Sequence, residues 1–516
     1  TSFDMISSVR KILAQEKVYI PLLWAFVFVW SVFITRVGAL IFYDSAQYLS
    51  AAESLVHDGM MLQFDGSPFV HWPPLTPLIL SGAFIFNIPL LLWVRVISAA
   101  SFATLVIVTH LILKKIIPRG PAFFSVILFS FWAPMVYIHL CIVSESFFLA
   151  FLATMLLALI NYFLSQEEKW FWLACCMSAL MIQTRYSGIF IVIASSFFLF
   201  YMIKAPLRQR IVRSCLYMIL SAAMVVPWFL RNRYIVGNAI DRSLMFNGAD
   251  LSLVTDFLKS LTNVFYLGSG AIAQLISGVC FIVIICIFVG IRGTFDDHKR
   301  LFLTMVLVSA AVYVILLTAT HAYVDPKTIL EFRQLVPFFY LFFLLSVPSI
   351  YWAWRALRSV TVARMIVVIG LVFFVTQIAG YMMYFPGFMS LQKRWVREFT
   401  LIREAVMKNR ALLKQSPIVY SNVAEGVYFA TGMRTTYIPA PPKRDADPRL
   451  HKEYEEQMTD LVHNLDRGAV IMLVDHWHDS NYYDPYDDIR GITGLSTVHE
   501  DYTVTILKKG VLLNLP

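Results

Sequence analysis

The chain has 516 residues, 59% of them hydrophobic and 15% charged, with a mean hydropathy of +0.68 and a formal charge of +9. A soluble protein carries nearer a quarter charged residues, so this composition excludes an ordinary cytosolic enzyme and points to one large membrane domain with a polar remainder. The charge of +9 would suggest nucleic-acid binding only if the basic residues gathered on a water-facing domain, and they do not.

In chain order, apolar runs of about 20 residues, enough to cross ~30 Å of hydrocarbon, predict spans at 18–40, 91–113, 122–140, 146–164, 171–185, 187–203, 211–230, 266–291, 301–320, 334–353 and 364–384. These eleven candidates give an α-helical polytopic membrane protein of about 11–13 transmembrane helices, followed by a C-terminal extracytoplasmic α/β domain. The first segment has no small-residue cleavage site and runs on towards Asp44, so it reads as a span rather than a signal peptide. Pro73–Leu90 opens with Pro73, Pro74 and Pro77. It reads as an interfacial segment on the outer surface, because residues 73–113 must cross once for the basic residues to segregate.

With that parity, alternate loops hold 17 basic and six acidic residues on one side and seven basic and ten acidic on the other. Short cytoplasmic loops are enriched in Lys and Arg, which places the N-terminus inside and the C-terminus outside. The excess charge is thus a topology signal, and nucleic acid is not an expected partner.

The six cysteines, Cys141, Cys175, Cys176, Cys215, Cys280 and Cys286, lie in or at the edge of spans, and the adjacent pair Cys175–Cys176 reads as packing. Arg36, Arg95 and His110 are the charged or titratable residues within early spans. A transporter or flippase would place ionisable groups near mid-bilayer in repeated halves, which this chain does not display.

The chain divides into a membrane domain, 1–384, which includes the outer loop 43–72 and its juxtamembrane helices, and a tail domain, 385–516. The tail carries 16 basic and 17 acidic residues. Its pattern predicts a helix over 391–414, strands at 417–420 and 435–438, and helices at 423–430 and 448–465. Further strands are predicted at 469–474 and 502–507. No GxGxxG or Walker motif is present.

The outer loops hold the informative residues. Tyr43 to Trp72 contains no Lys or Arg and carries Asp44, Glu53, His57, Asp58, Asp65 and His71. Asp44 opens an amphipathic helix, and with Gln47 three residues on it reads equally as a helix cap or as a catalytic base. On the same side lie Ser144-Glu145-Ser146, Thr184-Arg185-Tyr186-Ser187-Gly188, Arg231 with Arg233, and Glu331-Phe332-Arg333-Gln334. Each arginine alone could snorkel to headgroups. Acid and base groups converging beside hydrocarbon are costly, and they suit an acceptor hydroxyl or amine activated by carboxylate while guanidinium groups hold a lipid phosphate.

These pieces resemble the GT-C superfamily of polytopic glycosyltransferases, in the branch of bacterial aminoarabinose transferases and protein O-mannosyltransferases. The matching runs are Tyr43-Asp44-Ser45-Ala46-Gln47-Tyr48, His71-Trp72-Pro73-Pro74-Leu75-Thr76-Pro77-Leu78, Ser144-Glu145-Ser146-Phe147, Thr184-Arg185-Tyr186-Ser187-Gly188 and Arg333-Gln334-Leu335-Val336-Pro337. In the tail, Val419 to Tyr428 also matches.

The resemblance implies transfer of a sugar from a polyprenyl-phosphate-linked donor to a lipid, polysaccharide or protein acceptor on the outer face of the cytoplasmic membrane. It implies Asp44 as catalytic base or acceptor-orienting group, and Arg333, Arg185 and Arg231 on the donor phosphate. Glu145, His71, Tyr186 and Tyr48 would line the cavity or acceptor side. Ser45 stands where relatives often have a second acid, and His71-Trp72 replaces a Glu-Lys pair, which argues against the same lipid A acceptor. A divalent metal ion is a candidate cofactor, with Asp44, Glu145 and His71 as its candidate ligands. Asp475-His476-Trp477-His478-Asp479 in the tail looks more metal-like, but neighbouring histidines on a strand or loop point different ways, and Asp296-Asp297 reads as an exposed cytoplasmic turn. A polymerase or ligase of lipid-linked glycans would share this topology.

Overall fold

A computed structural model describes residues 15–36, 43–240, 252–265, 271–323, 332–356, 396–441, 448–474, 495–500 and 504–509, with isolated positions at 390, 393, 394, 489 and 492. The expected span 364–384, Glu331 and the Asp475–Asp479 run lie outside the described residues. The chain forms two compact units, residues 1–39 with 70–389 and residues 40–69 with 390–516.

The first unit is helical, and each expected span from 18–40 to 334–353 coincides with helix. Among the described residues, five helices are long and apolar enough to cross a membrane, and seven if each bent pair is one span. The number falls below eleven partly because Glu168–Thr184 and Gly188–Met202 have 17 and 15 residues, about 26 and 22 Å at 1.5 Å per residue. The expected span 211–230 is a bent pair, Leu207–Ala223 and Val226–Val236, at 42°. Pro227 lies at the start of the second piece, where its ring and missing N–H interrupt the helix.

Pro73–Leu90 forms two short helices, Leu75–Leu80 and Gly82–Ile85, too short to cross. The Trp93 ring comes within 2.4 Å of where a Cβ on Gly82 would lie, so a larger residue there would displace the ring.

Glu145–Ser165 and Phe332–Ala356 are buried along most of their length and form the middle of the unit. Leu90–Leu113 packs on both Glu16–Ile34 and Glu145–Ser165, and Asp297–Tyr323 packs on Phe332–Ala356 and Gly188–Met202. The polar groups assigned to the early spans are engaged locally. Arg95 Nη2 donates to the Val32 carbonyl at 3.0 Å, His110 Nε2 lies 2.8 Å from the Tyr19 hydroxyl, and the Arg36 guanidinium sits 4.2 Å from the Phe33 ring centre.

The second unit carries a five-stranded sheet of β1 (Val419–Ser421), β2 (Thr436–Tyr437), β3 (Val470–Val474), β4 (Leu495–Glu500) and β5 (Val504–Lys509), in the order β2-β1-β3-β5-β4. β1 pairs in parallel with β2 and β3, while β5 runs antiparallel to β3 and β4. All five residues of β3 are buried, as a central strand covered on both faces requires. Pro448–Asp466 supplies Leu461 and Leu465 to a core with Tyr420, Ile471 and Leu473. This is the α/β domain expected of the tail, with one strand more than the pattern predicted.

The grouping departs from the expected boundary in one respect. The outer-loop helix Tyr43–His57 belongs with the tail residues, because Ala46 and Phe64 from the loop share a buried cluster with Ala424 and Tyr428.

Candidate active site: a buried carboxylate between two arginines

In the first unit, three expected residues meet. Glu145 is fully buried in the first turn of its helix, where the helix dipole favours a negative charge. Its Oε1 lies 2.6 Å from Arg185 Nη1 and 3.2 Å from Arg333 Nη2, and Arg333 Nε also donates to it at 3.2 Å. The Ser144 hydroxyl donates to Oε2 at 3.3 Å and accepts from Arg185 Nη1 at 3.2 Å. The two arginine side chains keep only 13% and 19% of their surface exposed.

Local structure explains how they arrive there. Arg185 caps the C-terminal end of Glu168–Thr184, a favourable place for a cation. The next helix starts at once at Gly188. A Cβ on Gly188 would lie 3.3 Å from the Met181–Ile182 backbone, so a small residue suits this tight return. Arg333 occupies the first turn of Phe332–Ala356, the wrong end of the dipole for a cation. The Glu145 carboxylate supplies the compensation, and snorkelling to headgroups does not describe either arginine.

Arg185 Nη2 also donates to Gln334 Oε1 at 2.6 Å. The Tyr313 hydroxyl donates to the Gln334 backbone carbonyl at 2.8 Å and lies 3.4 Å from Ser187 Oγ. Tyr313 escapes sequence reading because nothing distinguishes one tyrosine in an apolar span from its neighbours.

Arg231 and Tyr186 belong to a second cluster in this unit. The Arg231 guanidinium lies 4.4 Å over the Trp228 ring, and Trp228 Nε1 donates to the Tyr186 hydroxyl at 3.1 Å. Arg231 Nη1 donates to Asn232 Oδ1 at 2.9 Å, and Asn232 Nδ2 holds the Val70 carbonyl at 3.0 Å, beside His71 and Trp72. The His71 and Trp72 rings meet edge to face at 4.5 Å.

In the second unit, Asp44 is half-buried in the first turn of Tyr43–His57. Gln47 Nε2 donates to the Tyr43 hydroxyl at 3.0 Å. Tyr48, at 1% exposure, packs edge-on against Phe69 in the core. Tyr43 packs against Phe64 and Tyr437, and Phe64 in turn stacks on Tyr428. Two tyrosine–carboxylate pairs anchor this helix region: Tyr428 donates to Glu53, and Tyr437 donates to the buried Glu425. Arg434 reaches Asp58 at 2.7 Å. Glu425 stands inside the motif Val419–Tyr428, but only the structure reveals its partner.

Burial and the adjacent Glu425 carboxylate raise the Tyr437 phenol well above its ordinary value, and burial with Glu53 does the same for Tyr428. A raised folded-state value contributes stability below the unfolded tyrosine value near 10, and loses it as pH climbs through the folded one. Thermal stability should therefore fall above pH 10, and Tyr437→Phe should flatten that decline in a melting series over pH 8–11.

Among the described residues, no group of three His, Cys, Asp or Glu side chains could hold a metal ion. Glu145, one of the expected ligands, directs its carboxylate to two guanidinium groups, which compete with any cation for the same lone pairs.

The sequence profile of the dolichyl-phosphate-mannose-protein mannosyltransferase family matches residues 71–230, a stretch that includes Glu145 and Arg185. No curated protein sequence matches the chain. Among solved structures, ArnT from Cupriavidus metallidurans bound to undecaprenyl phosphate superposes with a TM-score of 0.56 at 12% identity, covering 97% of this chain and 100% of that one. The mycobacterial arabinofuranosyltransferase AftD gives 0.56 at 15% identity over 96% of this chain and 40% of its own. The apo oligosaccharyltransferase of Archaeoglobus fulgidus gives 0.52 at 12% identity over 90% and 70%. At these identities the likeness is one of fold. The protein is accordingly a multi-pass integral membrane protein with the GT-C-like fold of polytopic glycosyltransferases.

Proposed function

We propose that this protein is an inverting glycosyltransferase that moves a sugar from a polyprenyl-phosphate-linked donor to an acceptor on the outer face of the cytoplasmic membrane, with the N-terminus inside and the C-terminal domain outside. The observation that carries this reading is the charge of the buried cluster. Two guanidinium groups on one carboxylate leave a net single positive charge. A phosphodiester joining a sugar to a polyprenol carries one negative charge and would complete the balance. As the sugar leaves, negative charge grows on the departing phosphate, and a planar, permanently charged fork already in place stabilises it without reorganisation.

Asp44 is the residue we assign to the acceptor, removing its proton or orienting it. Arg231, held over Trp228, is a further candidate for the phosphate, and His71 and Tyr186 are candidates for the acceptor side. The basic excess of alternate loops supports the orientation.

Mass spectrometry of lipids co-purified with the detergent-extracted protein tests the donor class. Wild type should retain a polyprenyl phosphate or its monoglycoside, and Arg333→Gln should retain about 10–100-fold less, the worth of a charge-assisted hydrogen bond. A diphosphate-linked oligosaccharide in its place would overturn the donor assignment.

A further inference from the structure

We infer that Gln334 and Tyr313 are positioning residues for the arginine pair, an inference that rests on the phosphate reading above. Arg185 is gripped at both ends of its fork. Nη1 meets Glu145 at 2.6 Å and Ser144 at 3.2 Å, and Nη2 meets Gln334 Oε1 at 2.6 Å. A guanidinium held only at the carboxylate could pivot about that contact, whereas a second acceptor at the other nitrogen fixes its plane. Gln334 does this with a neutral oxygen. A carboxylate in the same place would accept the same bond but cancel the remaining positive charge that a phosphate needs.

Gln334 is itself held. Tyr313 is fully buried on Asp297–Tyr323, and its hydroxyl has one proton to give. The 2.8 Å contact to the Gln334 carbonyl takes that proton, so the 3.4 Å approach to Ser187 leaves the serine hydroxyl as donor to the phenol oxygen. Ser187 follows Arg185 by two residues, and Gln334 follows Arg333 by one. A single phenol thereby ties the backbone segments that carry both arginines, and its ring is braced edge-on by Phe190.

The test is equilibrium binding of undecaprenyl phosphate to the full-length protein in detergent, with melting temperature measured alongside in the absence of lipid. Gln334→Glu should melt as wild type does, since the hydrogen bond is kept, yet bind about 10–100-fold more weakly because the cluster becomes neutral. A merely structural glutamine would leave that affinity untouched. Tyr313→Phe keeps the ring and should bind about 3–10-fold more weakly. Arg185→Gln and Arg333→Gln serve as references and should each bind about 10–100-fold more weakly. If they do and either Gln334→Glu or Tyr313→Phe binds as wild type, that residue's assignment is overturned. If both arginine variants bind as wild type, the phosphate reading falls and this inference with it.

Discussion

Replacing Glu145 with alanine should destabilise the membrane unit by about 3–5 kcal/mol, the cost of removing one partner from a buried ionic group. The carboxylate is fully buried and neutralises two guanidinium groups that are themselves mostly shielded, so its loss leaves two cations facing each other with little water to screen them. The residual exposure of the arginines moves the expected value towards the lower end. Glu145→Gln should cost less, because the amide oxygen still accepts one of the bonds although the charge is gone. The measurement is thermal unfolding in detergent, and a shift within a degree of wild type for Glu145→Ala would contradict the cluster.

Two further results separate repulsion from lost packing. Combining Glu145→Ala with Arg185→Met removes a charge of each sign, and the double variant should recover part of the loss. Adding undecaprenyl phosphate should raise the melting temperature of Glu145→Ala more than that of wild type, because the anion then supplies charge that the carboxylate no longer does. Equal shifts would mean that the lipid phosphate does not meet these arginines.

Much of this arrangement was legible in the sequence, and what was hidden was hidden for physical reasons. Apolar length located the helices, because a helix in hydrocarbon satisfies its own backbone wherever it goes. It did not reveal that Glu145 faces Arg185 and Arg333, since residues 188 positions apart meet only through helix packing. An arginine at a span end has a ready alternative in the headgroups, and only the depth of Glu145 decides between them. The loop 43–69 looked like part of the membrane domain because it follows the first span directly. Its apolar residues Ala46 and Phe64 find their partners Ala424 and Tyr428 more than 350 residues later. β4 escaped notice because Leu495–Glu500 is a bulged edge strand with Ser496, Thr497 and Val498 exposed, which blurs the alternation that marks a half-buried strand.

Asp44→Asn should reduce sugar transfer by about 10²–10⁴-fold, the usual worth of a general base, while leaving retention of the donor lipid near the wild-type level. The substitution is nearly isosteric and lies in the first turn of Tyr43–His57, so the bland alternative is a helix-dipole contribution of about 0.3–1 kcal/mol. The two roles predict opposite patterns. A purely structural Asp44 would lower the melting temperature slightly and leave turnover close to normal, whereas a base loses turnover with stability almost intact. Other side chains also fix this helix: Tyr43 against Phe64 and Tyr437, Glu53 with Tyr428, and Asp58 with Arg434. Transfer from a radiolabelled polyprenyl-phosphate sugar in membranes containing the native acceptor is the appropriate assay. Unimpaired transfer by Asp44→Asn at normal expression would remove Asp44 from the mechanism and leave the acceptor to be activated by another group.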